Sequence, residues 1–223
     1  MTFVNSRDEA HVSLLGTTAI LFEAPGDFDL SAQRRIWSLA KTAETWSGIK
    51  EAVPGMTNLM LTFETPPRDP AALESKLREA WEKSEELHIE GRVFELPVVY
   101  GGELGPHLAE TAALTGLSID DLVEIHTSVR YTVFAIGAHL GQGYLGITDS
   151  RIWVARRKVP VTSVPAGSVS IGGMQTAVST WAGPSGWHTL GNTKMTFFDP
   201  SNDPPAVLAP GDTVVFQAEK IIR

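Results

Sequence analysis

The sequence predicts an α+β protein in two parts, an N-terminal α+β sandwich followed by a β-barrel. Three observations carry the prediction. Over residues 1–100, short stretches of period two alternate with two longer stretches of helical period. After Tyr131 no stretch has helical periodicity. Between Val159 and Gly191, turn-forming residues (Pro165, Gly167, Gly172, Gly173, Gly183, Pro184, Gly186, Gly191) interrupt β-branched runs too often for a helix. That stretch reads as short strands whose turns either line a pocket or form ordinary barrel corners.

In the first part, His11–Leu15 and Ala19–Glu23 read as strands around Gly16-Thr17-Thr18. Asp29–Trp46 reads as a helix with Leu30, Ile36, Trp37, Leu39, Ala40 and Ala43 on one side, capped by Asp29 or Ser31. Strands Ile49–Val53 and Asn58–Phe63 flank the turn pair Pro54-Gly55. The prolines around Arg68 break the chain, and Ala71–Leu87 forms a second helix with Leu73, Leu77, Ala80 and Trp81 as its apolar stripe. Its many glutamates make a solvated face. Val93–Tyr100 closes this unit as a strand, giving the order ββαββαβ, with helices on one face of a mainly antiparallel sheet. The expected domains are therefore 1–100 and 101–223.

The second part opens with two short helices, Pro106–Thr115 and Ser118–Thr127. Ser118 is the N-cap of the latter, and Asp120 and Asp121 lie where the helix dipole favours negative charge. Strands follow at Tyr131–Ile136, Arg151–Val154, Ser168–Ile171, Met174–Val178, His188–Leu190 and Val214–Glu219, forming a closed or nearly closed barrel with the two helices packed outside.

Composition narrows the function. With 18 Lys plus Arg against 26 Asp plus Glu, the net charge of −8 disfavours nucleic acid, and the cluster Arg156-Arg157-Lys158 is too small for a nucleic-acid footprint. The absence of cysteine removes thiol catalysis and zinc ribbons. No apolar run approaches the ~20 residues needed to span a bilayer. Residues 1–10 lack a leader or lipidation pattern, so a cytoplasmic protein that does not engage membranes is expected. The six histidines have no metal-ligand spacing, and no metal site is expected.

No familiar catalytic signature is present, so a site must be assembled from scattered residues. His126 is read either as a helix C-terminal residue favoured by the dipole, the preferred role, or as a pocket acid/base. His139 and Tyr144 lie in a glycine-rich stretch; His139 is left accessible as a ligand contact or as an exposed loop residue. Arg156 and Arg157 offer guanidinium forks to a carboxylate or phosphate, or else solubilise an edge strand. Ser168 precedes the Gly172-Gly173 turn, and Gln175 follows it as a pocket donor or as a surface residue beside a bulge. Trp187 is a core or pocket-wall aromatic.

Six segments together resemble a known family: Tyr100–Leu108 (Y-G-G-E-L-G-P-H-L), Glu124–Val133 (E-I-H-T-S-V-R-Y-T-V), Val164–Thr176 (V-P-A-G-S-V-S-I-G-G-M-Q-T), Pro184–Thr193 (P-S-G-W-H-T-L-G-N-T), Phe197–Pro200 (F-F-D-P) and Leu208–Phe216 (L-A-P-G-D-T-V-V-F). The chain is similar over nearly its whole length to the B-type subunit of the bacterial ATP-dependent 5-oxoprolinase, also labelled allophanate hydrolase subunit 1, a family that includes the sporulation-kinase inhibitor KipI. The resemblance implies a cyclophilin-like barrel and the architecture of the carboxyltransferase module of urea amidolyase. It also implies partners of the C-type and A-type subunits, a small lactam or amide substrate, and ATP, with Mg, in the assembled complex. No biotin is implied on this chain. Arg156, Arg157, Ser168 and the Gly172-Gly173 turn are then the expected donors to phosphate and lactam oxygen. Two other readings of the resemblance are a non-catalytic KipI-like kinase inhibitor and a carboxyltransferase-like module.

The chain departs from the family pattern in its loops. Leu140–Gly146 lacks the usual proline and phenylalanine, and Arg156-Arg157-Lys158-Val159-Pro160 replaces Pro-Arg repeats. Pro184-Ser185-Gly186-Trp187 replaces P-G-G-W, and His107 stands where aspartate is usual.

Overall fold

Two apolar clusters, separate along the chain, organise the computed structural model, which describes residues 8–223. The chain divides between His88 and Ile89. Residues 1–7, part of the segment read for a leader, lie outside the described residues.

In the first unit, β1 (His11–Leu14), β2 (Ala19–Glu23), β3 (Ile49–Pro54) and β4 (Asn58–Phe63) form an antiparallel sheet of order β1-β2-β4-β3. Side chains alternate along a strand, so Ile20, Phe22, Leu59, Leu61 and Phe63 share one buried face. Helices α1 (Leu30–Glu44) and α2 (Pro70–Glu82) pack on it through Ile36, Leu39, Ala40, Ala43, Leu77 and Trp81. Asp29 caps α1, accepting from Ala32 N at 2.7 Å, whereas Ser31 donates to Glu86. Asp69 caps α2, and Pro70 occupies its first turn, where a missing N–H costs nothing. The second helix stops at Glu82, short of the predicted Leu87, because Arg35 and Ser84 satisfy the Trp81 carbonyl and the chain turns away to bond Arg34 O through Leu87 N.

The second unit is a closed seven-stranded barrel. Its strands are β5 (Val93–Gly101), β6 (Tyr131–Ile136), β7 (Gly143–Gly146), β9 (Ser168–Gly172), β10 (Gln175–Val178), β12 (His188–Asn192) and β13 (Thr213–Ile222), in the order β10-β7-β6-β13-β5-β12-β9. A separate two-stranded ribbon pairs β8 (Val161–Val164) with β11 (Gly183–Ser185). Helices α3 (Leu108–Thr115) and α4 (Ile119–Ser128) contribute Leu108, Ala112, Leu122, Val123 and Ile125 to the barrel core.

Three expectations need correction. Val93–Tyr100 does not close the N-terminal unit; as part of β5 it runs parallel to β13 and antiparallel to β12, so the division lies at 88/89 rather than 100/101. Arg151–Val154 is not a strand. Asp149 caps a 3-10 turn over Ser150–Ile152, and only Val154 bridges to Gly173. The glycine-rich Gly143–Gly146 is a barrel strand; a Cβ on Gly146 would fall 2.5 Å from Phe134 Cζ, so bare backbone is what lets this ring pack.

Candidate functional site

Glycine at 172 lays an indole against the barrel wall. A Cβ there would lie 2.8 Å from Trp187 Cγ, so the missing side chain makes room for the ring on β9. Above it, the Arg156 guanidinium carbon stands 5.7 Å from the Trp187 ring centroid, a cation–π arrangement. Arg156 and Trp187, with His139, Gln142, Tyr144, Ser170, Ser179, Trp181 and Ser185, line an open cleft of about 170 Å³. The ribbon β8/β11 supplies one wall, a tight turn over residues 137–142 another, and the Ser170/Ala177 pair of β9 and β10 also lines it. In that turn Gln142 N donates to His139 O, and Ala138 adopts a positive φ of 59°.

The lining contains no carboxylate, and Arg156 makes no ion pair among the described residues. The cleft thus combines one available cation, aromatic faces and neutral hydroxyl and amide groups. That set suits a small, flat, anionic solute carrying a polar carbonyl. It does not suit Mg-ATP: the volume falls below the ~300–1,000 Å³ of typical ligand pockets, and no carboxylate is at hand to hold the ion. Nor does any cluster of His, Asp and Glu among the described residues have the makings of a metal site.

Of the residues singled out from sequence, His139, Tyr144, Arg156 and Trp187 come together on the cleft. Ser168, Gln175, Arg157 and His126 are not among the lining residues. Ser168 Oγ turns back to Pro165 O at 2.7 Å. Gln175 lies at the start of β10, opposite Gly172. Gln142 and Ser185 fall in the loops that depart from the family pattern, whereas Ser170, Ser179 and Trp181 escape sequence reasoning, because period-two alternation identifies strand faces but not which face meets a ribbon from elsewhere in the chain.

Arg157 braces its neighbour. Its N–H donates to Gly186 O at 2.8 Å, and its Nη1 pairs with Glu110, which holds that carboxyl below its usual range. On the other side of Arg156, the Ala155 carbonyl accepts from His188 Nε2 at 3.0 Å. His188 therefore carries its proton on Nε2. Its Nδ1 and Arg157 Nε are buried without protein partners. His107 meets His188 edge-on at 6.1 Å and accepts from Thr189 N through Nδ1 at 2.9 Å. Burial, then the nearby Arg157, push the His107 pKa down.

His126 is neither a dipole-stabilised cation nor a pocket acid. It is fully buried in the barrel, stacked on Phe216 with centroids 4.6 Å apart. Thr176 Oγ1 donates to Ser170 O at 3.2 Å and so accepts from His126 Nε2 at 3.0 Å. This leaves Nδ1 to accept from Tyr100 O–H at 2.8 Å. A single direction of donation runs Tyr100 to His126 to Thr176 to Ser170, whose residue lines the cleft. Burial lowers the His126 pKa to about 3.

Comparison with known proteins places this geometry. Residues 10–208 match the family described as "Carboxyltransferase domain, subdomain C and D". The chain is 43% identical over 213 residues to the B-type subunit of 5-oxoprolinase from Escherichia coli O157:H7, covering 95% of this chain and 97% of that protein. Among solved structures, TTHA0988 superposes with a TM-score of 0.73 at 29% identity, over 91% of this chain and 40% of that longer chain. The Kluyveromyces lactis urea amidolyase shares the fold with a TM-score of 0.79 at 20% identity, over 95% of this chain and 15% of the enzyme.

Proposed function

The chain belongs to the carboxyltransferase domain family, subdomain C and D, and from that premise we propose that it is the substrate-holding subunit of an ATP-dependent 5-oxoprolinase-type hydrolase. The assembly would open the lactam of 5-oxo-L-proline to L-glutamate with one water, coupled to conversion of ATP and a second water to ADP and phosphate. Partners of the C-type and A-type subunits complete it, and the nucleotide is handled outside this cleft.

The carrying observation is Arg156 over Trp187 in a cleft lined without carboxylates. 5-Oxoproline is a small flat ring bearing one carboxylate and one amide carbonyl. Arg156 holds the carboxylate by a charge-assisted hydrogen bond, and the indole covers the ring. The hydroxyls of Ser179 and Tyr144 are the available donors to the lactam oxygen, the Ser170 hydroxyl being given to Thr189 Oγ1. Negative charge grows there as the amide carbon is attacked, so fixed donors lower the barrier.

The test is reconstitution. The chain, co-purified with neighbours of the C-type and A-type subunits, releases glutamate and ADP from 5-oxoproline. Release no greater than in a mixture lacking this chain would reject the reading.

A further inference from the structure

Among the described residues, the three most exposed large apolar side chains are Val159 at 77%, Trp181 at 70% and Leu140 at 69%. All three belong to segments that form or adjoin the cleft. Trp181 lines it, and Leu140 lies between the lining residues His139 and Gln142. Val159 leads into β8, where Val161 pairs with the lining residue Ser185. Scattered exposed apolar residues are ordinary, but the most exposed ones gathered around a single opening mark an interaction surface.

Charge limits the occupant. Exposed Arg156 and Lys158 closely precede Val159 in the chain, and the cleft contributes no carboxylate, on a chain whose net charge is −8. A basic rim on an acidic protein complements carboxylates, whereas a second copy would present the same cations. An anionic membrane fits poorly, since the rest of the chain is repelled and only two cations stand at the rim. In TTHA0988 and urea amidolyase the equivalent unit is 40% and 15% of a longer chain, so further protein accompanies it there.

We infer that the cleft mouth is the docking surface for another subunit of the assembly, which presents an apolar segment flanked by carboxylates. Leu140, Val159 and Trp181 anchor that segment while Lys158 pairs with its acids and Arg156 stays with the contents of the cleft, over which docking closes. Water is thereby excluded from the Arg156–Trp187 pair. This rests on the reading of the chain as one subunit of a 5-oxoprolinase-type assembly.

The experiment uses the full chain with the co-expressed partner of the C-type. Trp181→Ala, and the triple variant Leu140→Ser, Val159→Ser, Trp181→Ala, weaken association by tenfold or more in titration. Leu114→Ser, 60% exposed on α3, does not. Hydrogen exchange of the wild-type complex slows over residues 138–142, 156–161 and 180–184, a readout independent of how any variant folds. Association of the triple variant within twofold of wild type, or unprotected loops, overturns the inference, as does a wild-type chain that fails to associate. So does loss of concentration-dependent self-association, or of binding to phosphatidylserine vesicles, as the sole effect of the variants. Glutamate release by the wild-type complex is scored separately: normal turnover with an unprotected mouth sinks the docking surface alone, and docking without turnover sinks the enzymatic reading alone.

Discussion

Tyr100 and His126 share a buried hydrogen bond of 2.8 Å whose direction is fixed, hydroxyl to Nδ1, by what the other ring nitrogen must do. Burial raises the Tyr100 pKa and lowers that of His126, so both groups stay neutral and the bond runs one way at any ordinary pH. It ties β5 to α4 beneath the strands that line the cleft.

This pair makes stability depend on acidity. An unfolded histidine takes up a proton near pH 6.5, whereas buried His126 declines one until about 3. The native state therefore binds fewer protons in that window, and its stability is complete above pH 6.5 and lost as pH falls towards 3. The slope is about 1.4 kcal/mol per pH unit, and the lowered pKa of His107 acts in the same direction. Denaturant titrations at pH 7, 6 and 5 should show the decline, and His126→Gln should flatten it. Ring nitrogen chemical shifts should report a proton on Nε2 throughout. A protonated Nδ1 would refute the chain of donors.

Asp212 gives a second prediction. Its carboxylate, nearly buried, accepts from Arg92 N, Arg92 Nη2 and Ala209 N, each at 2.8 Å, where β13 enters the barrel beside β5. Asp212→Asn keeps the shape but points an amide NH₂ at one set of donors. The expected loss is about 2–4 kcal/mol, read as a lower denaturation midpoint with unchanged slope. Because the carboxylate is buried, 0.5 M salt should not reproduce the effect; if it does, the pair behaves as an ordinary surface bridge.

Local signals are legible in the sequence and distant ones are not. Asp29 and Ser118 cap their helices as their neighbours suggest, because a cap needs only the next three residues. The barrel's turns are visible from glycine and proline. The β5–β13 pairing joins segments some 120 residues apart, and nothing in Val93–Tyr100 itself says which sheet it enters. Site residues follow the same division. Arg156 and Trp187 stand out by type, whereas Ser170 and Ser179 carry no signal until β8/β11 folds over them. His126 reads as a helix-end residue from its place in the chain, and burial overrules that place.

Gly172 tests whether the cleft wall depends on bare backbone. Gly172→Ala would put a methyl 2.8 to 3.0 Å from Trp187 ring atoms, and the indole must shift or the strand must bend. Overpacking of this kind costs about 1–3 kcal/mol. The displaced ring should also change the Trp187 contribution to fluorescence, isolated by difference against a Trp187→Phe control. Gly173→Ala is the informative contrast. Its Cβ would meet nothing within 4 Å, so any cost comes from its positive φ of 65° and leaves the indole in place. Equal spectral changes in both variants would show that glycine at 172 does not seat the ring.

Arg156 bears most directly on function. It is the one Arg or Lys lining the cleft, and His188 and Arg157 hold the backbone on either side of it. Removing a charge-assisted hydrogen bond to a substrate carboxylate costs about 1.5–3 kcal/mol, or roughly 10- to 100-fold in binding. Arg156→Ala in the reconstituted assembly should therefore raise KM for 5-oxoproline within that range while lowering kcat much less, because the carboxylate is held alike before and during lactam opening. Arg156→Lys should recover part of the loss by charge without the bidentate fork. Arg157→Ala, which removes the brace rather than the contact, should lower kcat as well, since a loosened loop misplaces the bound ring. An Arg156→Ala assembly with unchanged KM would show that the carboxylate is held elsewhere.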